Sequence, residues 1–299
     1  MASAYTAVDL SKLAPPAVVE PLDYEAILAA MVADLQVRDP AFSALLESDP
    51  AYKILEVCAY RELLIRQRVN EGARAVMLAY AAAADLDQIA ARYGVERLVI
   101  TPADNTTTPP IAAVYESDAD LRLRVLLSLE GYTTAGSIGS YMFHALSASG
   151  DVLDVGIESL VAGTVNVAIL SRTGDGTPPQ ATLDAVTAAL NAETVRPLCD
   201  TVAVQAATIV NYSITATLDF YPGTGQEQVL AAAIDAAHAY AAAMHKLGRD
   251  ISLSGIYAAL HQPGVQKVNL TAPSADIVVP WNQSPYCSAI SVTAGAINE

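Results

Sequence analysis

The chain has 299 residues, 32 acidic against 16 basic side chains, a net charge of −16 and a pI near 4.5. That length allows two domains, or one core with a helical extension, and the acidity disfavours a nucleic-acid binder, which would show a basic stripe. Hydrophobic residues make up 53%, much of it alanine, but the nearest candidate for a membrane span, Ala75 to Ala84, is closed by Asp85 and Asp87 well short of the ~20 residues required.

No basic segment leads into an apolar run at the N-terminus, so no secretory signal is read, and a soluble protein that starts in the cytoplasm is expected. Acids outnumber bases 14 to 9 in residues 1–100 and 18 to 7 in residues 101–299. Low charge density (16%) beside so much alanine and valine suggests a surface largely covered by partners. The three cysteines, Cys58, Cys199 and Cys287, are odd in number and far apart; they fit neither a disulfide framework nor a zinc site and are expected to be buried free thiols.

In chain order, residues 1–22 are punctuated by prolines and predict an extended arm, because the residue before each proline is pushed toward extended geometry. Residues 23–100 predict a helical bundle region. Asp23 starts a first helix whose Ile27, Met31 and Leu35 repeat at i, i+4, i+8, with Leu28 and Val32 alongside. Asp49-Pro50 signals a second, with Asp as N-cap and Pro at the first helical position. This helix reads as about 33 residues and roughly 50 Å long.

One line on it runs through Leu55, Cys58, Glu62, Ile65, Val69, Gly72, Val76 and Tyr80 at threes and fours. A second apolar line runs through Ile54, Val57, Leu64 and Met77, and Arg61, Arg66, Arg68 and Arg74 are interleaved with Glu62 and Glu71. Two such lines on one helix imply packing against more than one neighbour. Leu55, Cys58, Ile65, Val69, Val76 and Tyr80 are the candidate bundle-interface residues, and Gly72 is the candidate bend. A short helix then ends at Gly94.

Residues 101–150 predict a turn-rich linker, TPADNTTTPP, followed by a helix capped by Ser117 and another over Gly136 to Leu146. From Val152 the period switches to two. Residues 151–207 predict a first α+β domain, with a hairpin turning at Gly163, a helix over Gln180 to Ala192 and a strand at Val202 to Val204. Residues 208–299 predict a second: strand Val210 to Tyr221, helices Gln226 to His245 and Ser252 to His261, strand Val265 to Leu270, and two short C-terminal strands around Trp281. The fold class is α+β, a long-helix bundle region followed by sheets covered by helices on one face, with a weak structural duplication.

Chemistry is hard to find. His238 and His245 are seven apart on one helix, and His261 lacks a partner at ligand spacing, so no metal is expected. His144 reads as a core or interface histidine. Gly174-Asp-Gly176 and Gly223-Thr-Gly225 lack the rest of any phosphate-loop pattern and read as turns. Asp85/Asp87 and Asp118/Asp120 read as charges complementing helix N-termini. With no nucleophile elbow and no cysteine beside a base, neither catalytic residues nor a cofactor are expected, and the chain is read as a non-enzyme.

The strings AYRELLIRQRVNEGARAVMLAYAA (59–82), DLDQIA (85–90) and ITPAD (100–104) closely resemble the baseplate assembly protein J family of contractile-tailed phages, whose members also serve in R-type bacteriocins. The resemblance covers nearly the whole chain, through LAPPAVVEPLDYEAIL, ESDADLRLRV, AGSIGSYMFHALSASG, VRPLCDTVAVQ and LGRDISLSGIYAALHQPGVQ to CSAISVTAG. It implies a wedge component: two J-like copies in different conformations join one smaller I-like protein through a shared helical bundle, here residues 23–100. It also implies six wedges around a central spike and hub, closed into a ring by domains in residues 110–299, with lysozyme-related and sheath-proximal baseplate proteins as neighbours. Rearrangement of that ring triggers sheath contraction. Assembly in the bacterial cytoplasm and residence in the mature baseplate follow from the same likeness.

Two other classes remain. A tail-associated cell-wall-degrading enzyme would need an acidic pair in a cleft. A receptor- or glycan-binding appendage would need exposed aromatic clusters, and the chain has one Trp and three Phe.

Overall fold

The computed structural model describes residues 20–223 and 225–297, together with Leu10, Leu13, Ala14 and Pro16; most of the expected extended arm lies outside the described residues. The fold is α+β, and it divides into two compact units, residues 8–96 and 97–299.

The first unit is helical. Helix α1 (Tyr24–Arg38) starts where Asp23 accepts a hydrogen bond from the Ala26 amide at 3.0 Å. Its Ile27 and Leu28 bury against Ala59 of α2 (Pro50–Ala75), with Met31, Val32, Tyr52, Leu55 and Leu63 packed around them. Ala59 is fully buried at this crossing, where a larger side chain would push the helices apart. Pro50 occupies the first turn of α2 as expected, but Asp49 accepts from the Leu46 amide at 2.8 Å instead of capping the helix.

Helix α2 is shorter than its periodicity suggests: 26 residues, ending at Ala75. The chain runs through Gly72 as continuous helix and breaks four residues later. Val76 leaves helical geometry, Met77 accepts from Tyr80 and Ala81, and Ala83, at φ +48°, leads into α3 (Ala83–Arg92). The alanine run favours helix locally. Turning instead places Ala81, Leu86, Ile89 and Ala90 in the interior. Gly94, at φ +68°, closes α3 where only glycine fits without strain, and the Val95 amide returns to the Ala90 carbonyl at 3.1 Å.

The second unit opens with a small hairpin, β1 (Val99–Thr101) against β2 (Val114–Tyr115), continued by a bridge between Asp104 and Ile111. The expected linker therefore folds back on itself, and Asp104 accepts from the Thr106 amide at 2.8 Å within its turn. Helix α4 (Asp118–Leu127) is capped by Ser117 and α5 (Ile138–Ala148) by Ser137.

A three-stranded sheet follows, in the order β3 (Val152–Val161), β4 (Thr164–Ser171), β5 (Thr201–Ala206). Strands β3 and β4 form the antiparallel hairpin turning at Gly163, φ +78°, and β4 runs parallel to β5 through helix α6 (Gln180–Leu190). Tyr141 and Ala145 of α5 and Val186 and Leu190 of α6 share one core with Val155, Val167 and Ile169 of the sheet.

The second sheet places β6 (Thr208–Phe220) between β7 (Val265–Ala272), antiparallel, and β8 (Gln283–Ile297), parallel. Helices α7 (Gln226–Met244) and α8 (Leu253–Leu260) cover it around a core that includes Leu218, Phe220, Ala237, Ile256 and Leu260. In place of two short strands around Trp281, one 15-residue strand follows it, because β8 pairs along nearly all of β6. Each sheet has a central strand with one parallel and one antiparallel neighbour. The connections differ: β4 reaches its parallel partner directly through α6, whereas β6 reaches its antiparallel partner through α7 and α8.

Candidate assembly surface

The surface to explain is on α2. At 3.6 residues per turn, Tyr52, Ala59, Leu63 and Asn70 point to one side of the helix, and that side is the one packed in the first unit. On the opposite side Ile54 is 64% exposed, Val57 61%, Ile65 64% and Val69 57%. Ile54, Val57, Ile65 and Val69, spaced by three, eight and four residues and each over half exposed, form one aliphatic ridge on that side of the helix.

The sequence-derived interface set divides on this geometry. Ile65 and Val69 lie on the exposed ridge, and Cys58 is exposed beside it. Leu55 faces inward and packs with Ile27, Leu28 and Ala59. Val76 is 70% exposed but lies past the end of the helix. Tyr80 lies in the following turn, where its hydroxyl donates to the Leu13 carbonyl. At ~100° per residue, the ten residues from Leu55 to Ile65 leave the two about 80° apart around the helix, so Leu55 meets the α1 contact and Ile65 faces outward. Ile54 and Val57, assigned to the second line, belong with Ile65 and Val69.

Asn70 was missed. It is 7% exposed in mid-helix, accepts from the Glu20 amide at 3.1 Å and donates to the Glu20 carbonyl at 2.8 Å. One side-chain amide thus satisfies both backbone polar groups of Glu20. Arg66 adds ion pairs to Glu20 at 3.3 Å and Glu62 at 2.6 Å. An amide amid the polar stretch Arg66 to Glu71 reads as surface, so the sequence carries no signal for this role.

In the second unit, Glu116 and Arg124 form a buried ion pair in which Glu116 also accepts from the Leu98 amide. Burial draws the Arg124 guanidinium below its usual pKa, and the Glu116 charge opposes that shift. Arg97 holds Asp118 at 2.7 Å and Arg172 holds Asp120 at 2.8 Å, so both acids at the start of α4 have cationic partners. Asp154 of β3 accepts from the amides of Leu247, in the loop after α7, at 2.9 Å and of Val155 at 3.0 Å; burial raises its pKa, against those amide bonds. Gly156 sits where a Cβ would meet the Trp281 carbonyl at 2.5 Å. At the β3–β4 turn Leu160 and Val161 are exposed, and Gly163 lies near the Cys199 carbonyl.

The expected buried thiols are not found: Cys58 is exposed on the outward side of α2, Cys199 is exposed in the loop before β5, and Cys287 of β8 is half-buried at the margin of the second core. His144 bonds the Gly131 carbonyl at 3.2 Å, and burial lowers its pKa. Among the described residues no group of three His, Cys, Asp or Glu converges as a metal site, and no helix is long and apolar enough to cross a membrane.

Three domain families match the chain: Baseplate J-like N-terminal domain over residues 47–104, Baseplate J-like central domain over 133–206, and Baseplate J-like protein C-terminal domain over 212–293. The chain is also 50% identical to Baseplate protein J of Escherichia phage P2, across 98% of this chain and 99% of that protein.

Proposed function

The chain belongs to the baseplate J-like family and is a structural component of a phage tail baseplate, and from that premise we propose that it builds the wedge of a contractile tail. In this reading the ridge Ile54, Val57, Ile65 and Val69 is the chain's contribution to a bundle shared with a second copy and a smaller I-like protein. Residues 97–299 carry the contacts that close wedges into a ring around the spike and hub. The wedge assembles in the bacterial cytoplasm, and the protein acts without an enzymatic step.

The observation that supports this most is the α2 ridge, exposed on the side opposite the helix's own packing. Its burial in a partner stabilises at about 25 cal/mol per Å2 of apolar surface, which gives the joint its strength. Switching to the contracted state draws on alternative interfaces of similar free energy, not on bond chemistry.

Native mass spectrometry of wedges purified from tails tests the reading. The expected composition is two copies of this chain with one smaller partner. Ile65→Asp is expected to abolish wedge formation, because assembly would bury an unpaired charge at a cost of several kcal/mol. Wedges carrying Ile65→Asp at wild-type yield would show the bundle assignment to be wrong.

A further inference from the structure

The α2 ridge carries charge of one sign. Ile54, Arg61, Ile65, Arg68 and Gly72 fall within a sector of about 60° around the helix, flanked by Val57, Cys58 and Val69. No acid lies among them. Glu62 and Glu71 sit to either side, where Glu62 pairs with Arg66 and Glu71 accepts from Gln67, while Glu56 turns away and pairs with Lys53. Arg68 reaches Glu71 only at 3.5 Å and is 85% exposed, and Arg61 is exposed with no ion pair among the described residues. A chain with net charge −16 thus presents a locally cationic apolar ridge.

Two further features bear on the occupant. Gly72 sits in the helix although a Cβ there would meet nothing within 4 Å, so nothing in its own unit requires glycine. A mid-helix glycine costs about 1 kcal/mol relative to alanine, and here it leaves the backbone open to close approach from outside. Second, pairing this ridge with the same ridge of another copy sets Arg61 against Arg61 in parallel, or Arg61 against Arg68 in antiparallel. Both arrangements desolvate like charges. In the groove between α1 and α2, of about 730 Å3, most acids a second copy could offer are already engaged: Glu20 and Glu62 pair with Arg66, Asp34 with Arg38, and Asp23 accepts from the Ala26 amide.

We propose that the α2 ridge is a charge-selective seat for an acidic amphipathic helix from a different chain, with Arg61 and Arg68 as its selectors. This rests on the ridge being a docking surface and adds what it selects. A carboxylate flanking the partner's apolar stripe meets each arginine, while the aliphatic ridge supplies most of the affinity. The same two arginines discourage the ridge from closing on the same ridge of a second copy, which joins the shared bundle by another face.

The test uses the full chain and three synthetic helices with one leucine stripe and Glu, Gln or Lys flanks, with binding read by fluorescence anisotropy. The Glu-flanked helix is expected to bind about tenfold more tightly than the Lys-flanked one at low salt. High salt should shrink the gap, and Arg61→Glu/Arg68→Glu should invert it. Equal binding of all three, or binding of none, overturns the proposal. So does self-association of the chain alone that Ile65→Asp abolishes, since the occupant is then a second copy. Equal binding that Ile65→Asp abolishes removes only the charge selection and leaves the docking surface. Binding that Ile65→Asp leaves intact removes the docking surface itself.

Discussion

The two units of this chain solve the burial problem differently. Residues 97–299 close two cores, each a three-stranded sheet under two helices, with Phe220, Leu218, Ile169 and Leu190 at or near zero exposure. Residues 8–96 bury little between α1 and α2 beyond Ile27, Leu28 and Ala59, and leave two isoleucines and two valines of α2 in water. The 26-residue helix α2 packs one side and exposes an aliphatic row on the other. Under the proposed function, the contrast is between a self-sufficient module and one completed by assembly.

Substitutions can break or sharpen that contrast. The largest effect on the isolated chain is expected at Phe220→Ala, about 3–5 kcal/mol by chemical denaturation, because the closed core collapses poorly around the cavity. Glu116→Ala should cost roughly 3–5 kcal/mol as well, since it strands the buried Arg124 charge; if the loss is under ~1 kcal/mol, the pair is not buried as described.

In the helical unit, Asn70→Ala should cost roughly 1–3 kcal/mol of local stability, because both backbone groups of Glu20 lose their partner. Its readout is faster hydrogen exchange at the Glu20 amide, with the cores of residues 97–299 unaffected. Leu55→Asp should disrupt the α1–α2 contact in the isolated chain, whereas Ile65→Asp should leave its melting unchanged and appear only on assembly.

The smallest effect is pH-dependent. The folded pKa of His144 lies below its ordinary value of 6.5, so the unfolded state binds the proton more readily. The His144 contribution is present above 6.5 and is lost as pH falls through the folded pKa. Urea midpoints measured from neutral to mildly acidic pH should fall more steeply for wild type than for His144→Gln.

Much of this architecture is legible in the sequence where pattern and punctuation agree. Ser117 caps α4 as expected, the helix expected over Gly136 to Leu146 runs Ile138–Ala148, Gly163 turns the hairpin, and the period-two run after it forms a strand. Legibility fails where distant contacts decide. The alanine run after Ala75 favours helix, yet burying Ala81 and Leu86 requires a turn. Trp281 marks no strand pair because the register of β8 is set by β6, more than sixty residues earlier in the chain. On α2 the apolar content of both faces was visible, but their division was not: Leu55 and Ile65 are ten residues apart in the same apparent line and point to opposite environments. Asn70 was illegible because its partner is the backbone of Glu20, which has no side-chain signature.

Cys58, exposed beside the ridge, offers the most direct test of that division, with the exposed Cys199 in the other unit labelled in parallel. Maleimide labelling of Cys58 should be complete in the isolated chain and blocked in intact tail particles. Equal labelling of Cys58 in both states would contradict the claim that α2 is completed by a partner.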